Sequence, residues 1–107
     1  MSKIVFLHYR SIDYTRGDVA ARGGATVAIE QTDKGEIRTA VAWCSNKDNY
    51  NKRVGRALAG WRLMYGKMFT EQTELTNIGE TVNHVDDFMA LNYDYFRTTK
   101  KKRTYSV

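Results

Sequence analysis

Two histidines, one cysteine and a band of cations are the residues of this 107-residue chain whose types suggest chemistry. His84 and Asp87 stand three positions apart, which on a helix turns both side chains to one side, and His8 is a distant third ligand. A stable metal centre usually recruits three or four protein ligands, so His84 is read as an ordinary exposed or interhelical residue. Cys44 lies at the end of an expected strand and close to an expected helix N-terminus, where a thiol pKa can fall. Its base would have to be His8 or His84 from elsewhere in the fold, and a small core residue is the simpler reading. Gly17, Gly23 and Gly24 lack the Lys-Ser/Thr ending of a P-loop and the spacing of a dinucleotide fingerprint, and turn geometry accounts for them. Arg16-Gly17-Asp18 is given no adhesive meaning. No catalytic residue, metal or cofactor is assigned, and the chain is read as a non-enzyme.

The cations are more informative. Lys47, Lys52, Arg53 and Arg56 gather on the first turns of an expected helix, whose N-terminus favours anions, an arrangement suited to backbone phosphates or to an acidic protein surface. Arg62 falls near the border of the apolar stripe on the same helix. Tyr9, Tyr14 and Tyr50 could stack on bases if exposed. The expected partner- or phosphate-binding residues are Lys47, Tyr50, Lys52, Arg53, Arg56 and Arg62. A sheet followed by a helix with lysines in its first turn has a counterpart in double-stranded-RNA-binding domains, whose leading helix this chain lacks.

The elements that must position these groups follow from periodicity. Ser45 and Asp48 have the spacing of a reciprocal helix cap, so a helix is expected from about Asn46 to Met68. Tyr50, Val54, Ala57, Leu58, Trp61, Met64, Tyr65 and Met68 recur at three and four, predicting an apolar underside with the cations outward. Gly55 and Gly60 each cost roughly 1 kcal/mol in a helix and point to close approach of another backbone. Lys3 to Tyr9 reads as a strand buried on both faces, and Arg10 to Gly24 as a loop with a helical turn near Asp18 to Ala21. Alternation from Ala25 to Ile29 and from Ile37 to Trp43, around Asp33-Lys34-Gly35, predicts a β-hairpin. Thr70 to Asn77 is a polar connection with room for a short edge strand. A second helix with an acidic outer side is expected from about Ile78 to Arg97, lying beside the first.

The fold class is therefore α+β: a mainly antiparallel sheet of three or four strands packed against two helices, in the order β-β-β-α-α. Residues 1–98 are expected to form one domain and residues 99–107 a basic flexible tail. The expected core includes Val5, Leu7, Val27, Ile29, Val41, Val54, Leu58, Trp61, Val82, Val85 and Met89. Tyr93 and Tyr95 beside Phe96 offer a self-association face, which leaves a homodimer open. The net charge of +5 favours an anionic partner, although Lys100 to Arg103 supply four of the positive charges. A single cysteine excludes an intrachain disulfide, and no apolar run reaches the length of a membrane span or a secretory signal. A cytoplasmic location is expected.

The run Cys44-Ser45-Asn46-Lys47-Asp48-Asn49-Tyr50-Asn51-Lys52-Arg53-Val54-Gly55-Arg56, continued by Ala57-Leu58-Ala59-Gly60-Trp61-Arg62-Leu63, resembles a segment of small accessory proteins of tailed bacteriophages. The resemblance implies a phage gene product in the host bacterial cytoplasm. Proteins of that class commonly sequester or block host factors, including restriction and CRISPR machinery. Two functions follow as expectations: a non-enzymatic protein that binds and inhibits a host or anti-phage defence protein, or a nucleic-acid-binding protein that contacts phosphates through residues 46–68.

Overall fold

The computed structural model describes residues 3–33, 35–65 and 78–98. The apolar run at the start forms β1 (Lys3–Arg10), and the predicted hairpin forms β4 (Ala25–Gln31) and β5 (Ile37–Trp43), paired with Val27 opposite Val41. β1 pairs antiparallel with β4, Leu7 facing Val27 and Tyr9 facing Ala25. The sheet is completed by β6 (Phe96–Thr98), giving the order β5-β4-β1-β6. The expected loop with a helical turn at Arg10 to Gly24 holds instead a two-stranded ribbon, β2 (Ile12–Asp13) against β3 (Asp18–Val19). Asp13 organises its tip by accepting from the Thr15 hydroxyl and amide, and this holds its carboxyl below the usual range.

The first helix is shorter than its periodicity suggests. α1 runs Lys52–Met64, and the expected start at Asn46 is corrected: Ser45 and Asp48 close a turn, with the Asp48 amide on the Ser45 carbonyl and the Lys47 amide on Ser45 Oγ. Asn51 is the true cap. Its side chain accepts from the Val54 amide, which relieves one of the unpaired donors at the helix start. Residues 66–68, the connection 70–77 and the tail 99–107 lie outside the described residues. α2 runs Ile78–Tyr93, not on to Arg97. Asp94 adopts φ 58° and turns the chain, the Tyr95 amide bonds the Met89 carbonyl, and the next three residues join β1 as β6.

Strand alternation sends the two helices to opposite sides of the sheet rather than side by side. On one face Leu7, Tyr9, Ala25, Val27, Ile29 and Val41 form a core with Val85 and Met89 of α2, Val5 and Val82 packing at its margin. On the other face Ala28, Ala40 and Ala42 meet Ala59 and Leu63 of α1. This second core is thin because α1 sits on the sheet by its smallest residues: a Cβ added to Gly55 would overlap Thr26 Oγ1. The expected apolar underside of α1 is therefore corrected. Val54, Leu58 and Trp61 are 51%, 42% and 50% exposed, and Met64 and Tyr65 are exposed too. Nor is β1 buried on both faces, since Ile4 and Phe6 reach solvent on the α1 side. No described helix is long and apolar enough to cross a membrane.

Candidate functional site: the solvent side of α1

Two loops deliver α1 to the sheet. Gly23 and Gly24 take φ of 79° and 110°, letting residues 21–24 run close to the chain between Cys44 and Tyr50. The Gly23 amide bonds the Asp48 carbonyl, the Tyr50 amide bonds the Ala21 carbonyl, and the Cys44 amide bonds the Gly24 carbonyl. A side chain at Gly24 would collide with the Tyr9 carbonyl and the Tyr50 ring, so the close approach itself requires glycine there.

Tyr50 is the pin of this junction. Its hydroxyl lies 2.7 Å from both His8 Nδ1 and Thr26 Oγ1 and donates to the Ala25 carbonyl at 3.2 Å. The Arg10 guanidinium covers its ring, 4.5 Å from the centroid, and donates to the Ala20 carbonyl. Burial raises the Tyr50 pKa above its ordinary value, with the Thr26 hydrogen bond and the Arg10 charge pulling the other way. Tyr50 is therefore held in the framework that presents α1.

The remaining predicted residues divide cleanly. Lys47, Lys52, Arg53 and Arg56 are exposed and form no ion pair among the described residues. Arg62 donates to the Val41 carbonyl at 2.7 Å and so covers a backbone acceptor of the edge strand β5. The candidate surface thus has a cationic first half, Lys52, Arg53 and Arg56, and an apolar second half, Leu58, Trp61, Met64 and Tyr65, with the Trp61 and Tyr65 rings 5.0 Å apart. Sequence reasoning placed that apolar half in the core. The signal that could have found it is the series Gly55, Ala59 and Leu63 at spacings of four, small enough at two positions to let the helix backbone down onto Thr26.

Depressions flank the helix. On the β5 side a cavity of about 310 Å³ is lined by Trp43, Cys44, Tyr50, Val54 and Leu58, among others. On the β1 side a groove of about 470 Å³ runs between Ile4 and the α1 residues Arg56, Ala57, Gly60, Trp61 and Met64, with the ion pair of Arg38 and Glu30 at its wall.

The other chemical candidates separate. His8 points to the α1 side of β1 while His84 and Asp87 belong to α2 on the opposite face, so the imagined three-ligand set cannot assemble. Among the described residues no group of three His, Cys, Asp or Glu side chains could hold a metal ion. Cys44 is on a loop well before the helix start, and its thiol points at the carbonyls of Ser45, Asp48 and Asn49 at 3.4–3.7 Å. On the far face the buried Tyr9 hydroxyl donates to Asp86 at 2.6 Å, and Arg97 pairs with the same carboxylate at 2.9 Å, tying β1, α2 and β6 together. Burial and the adjacent carboxylate push the Tyr9 pKa far above its ordinary value. No family model, no curated protein and no solved structure matches this chain.

Proposed function

We propose that the chain is a non-enzymatic accessory protein of a tailed bacteriophage that works in the host cytoplasm by covering a surface of a host or anti-phage defence protein. The observation that carries the docking part of this reading is the exposure of Leu58, Trp61, Met64 and Tyr65 on the same helix as three cations that have no ion-pair partner among the described residues; the phage setting rests on the resemblance of residues 44–63. Aromatic anchors ringed by charge are what protein interfaces concentrate, and grouped apolar exposure of this kind is unusual on a surface with no partner. Arginines without an ion-pair partner among the described residues select for acidic surroundings on the partner and speed encounter with it.

Affinity purification of the tagged protein from bacterial lysate, with and without nuclease, tests the reading. A nuclease-resistant protein partner is expected, lost from Trp61→Ala and from the double variant Arg53→Glu, Arg56→Glu while both variants remain folded. Direct phosphate contact is the second reading, supported by the same exposed cations on the first turns of α1. It requires a mobility shift with nucleic acid that weakens steeply with salt, and retention of nothing after nuclease.

A further inference from the structure

The sheet face beneath α1 is half covered. Its strands, spaced roughly 4.8 Å apart, make a surface about 15 to 19 Å wide, whereas one helix with its side chains spans about 10 Å. α1 is seated over β5 and β4, with Gly55 on Thr26 and Ala59 and Leu63 on Ala28, Ala40 and Ala42. That leaves β1 beside it. Ile4 is 48% and Phe6 36% exposed there, and Phe6 only grazes the helix at Gly60.

We infer that the groove between α1 and β1 is a socket for an amphipathic helix with an acidic margin, contributed by a partner protein, and this rests on the protein-binding reading above. The groove has the form such an element needs. Its apolar lining includes Ile4, Trp61 and Met64, with the exposed Phe6 next along β1 on the same side near Gly60, and a helix laid beside α1 would seal them in the way a second helix completes a layer on a sheet. The charge at its rim is one-sided. Arg56 lines the groove with no ion-pair partner among the described residues. Among the described residues the one acid lining it, Glu30, is already paired with Arg38 at 3.1 Å. A second copy of this chain suits the socket less well. The apolar side of α2 is already packed into its own core through Val82, Val85 and Met89, and the other helix, α1, would bring cations against cations.

Two synthetic helices of about 18 residues, five turns, test the inference. They share one leucine face; one carries glutamate on its flanks and the other lysine. The intact protein with Trp43→Phe, which leaves Trp61 as the reporter, is titrated with each by fluorescence, and its oligomeric state is measured by light scattering. Saturable binding of the glutamate helix, at least about tenfold tighter than the lysine helix, is expected. Ile4→Arg should abolish it, and Arg56→Glu should reverse the preference, with circular dichroism confirming that each variant is folded. Equal binding of both helices, binding of neither, or a dimer that Ile4→Arg dissociates would overturn the inference. If the lysate partner is lost from Trp61→Ala but kept by Ile4→Arg, the socket fails while the docking function of α1 stands.

Discussion

Gly55 sits so close to Thr26 that the helix position has no room for even a methyl group. This single approach fixes which side of α1 meets the sheet, and it explains why the larger apolar residues of the helix face outward. Gly55→Ala should lower stability by about 1–3 kcal/mol despite the gain in helix propensity, because Thr26 Oγ1 and its neighbours must shift. Gly60→Ala is the contrast. Its methyl would meet only the Phe6 ring, Cζ at 3.8 Å and Cε1 at 4.0 Å, ordinary contacts, so a gain of up to about 1 kcal/mol is expected. Urea denaturation of the two variants measures both.

The corrected helix start gives a second prediction. Asn51→Ala removes the acceptor for the Val54 amide and should cost about 1 kcal/mol. Ser45→Ala disturbs only a solvent-exposed turn, and a change within about 0.5 kcal/mol is expected. A loss from Ser45→Ala with little from Asn51→Ala would place the cap at Ser45 after all.

Tyr9 predicts a pH dependence. Its hydroxyl ionises near 10 when unfolded but much higher when buried against Asp86. Below pH 10 both states keep the proton and this group leaves stability unchanged. Above it the unfolded chain loses the proton first, so stability falls as pH rises, by as much as about 1.4 kcal/mol per pH unit from this residue. Tyr9→Phe should flatten that alkaline slope. At neutral pH it should cost about 1–3 kcal/mol, since the Asp86 carboxylate keeps Arg97 but loses its shortest hydrogen bond. Denaturation midpoints between pH 8 and 11 give both quantities.

Surface and core roles on α1 should separate in experiment. Trp61→Ala removes a half-exposed ring and is expected to change stability by less than about 1 kcal/mol while weakening partner capture about tenfold or more. Leu63→Ala, by contrast, empties a buried position and should cost about 2–5 kcal/mol. Thermal melts paired with the capture assay distinguish the two.

The hairpin from Ala25 to Trp43 was legible because strict alternation has one interpretation: Ala25, Val27 and Ile29 share a face with Val41 across the register. The existence of both helices was legible for the same reason at the longer period. Three of the features that were not legible show the reasons. Ser45 and Asp48 have cap spacing, but a turn uses the same hydrogen bonds, and Asn51 offered an equally good cap six residues on. Residues 96–98 carry on the apolar spacing of α2, and only the left-handed Asp94 breaks it. The outward face of α1 was missed because periodicity locates an apolar stripe without saying what lies opposite it; the glycine and alanine side won through closeness of approach. Of the candidate site, the four exposed cations were readable, whereas the engagement of Tyr50 and Arg62 depends on contacts distant in sequence.

The placement of the Tyr50 hydroxyl among His8, Thr26 and the Ala25 carbonyl has a bearing on affinity. Because the segment leading into α1 is cross-linked to two strands before the first helical turn begins, the helix is already set at its final height and tilt. On the proposed docking function, little freedom is left to be lost on association, so a modest contact area would suffice to hold a partner tightly.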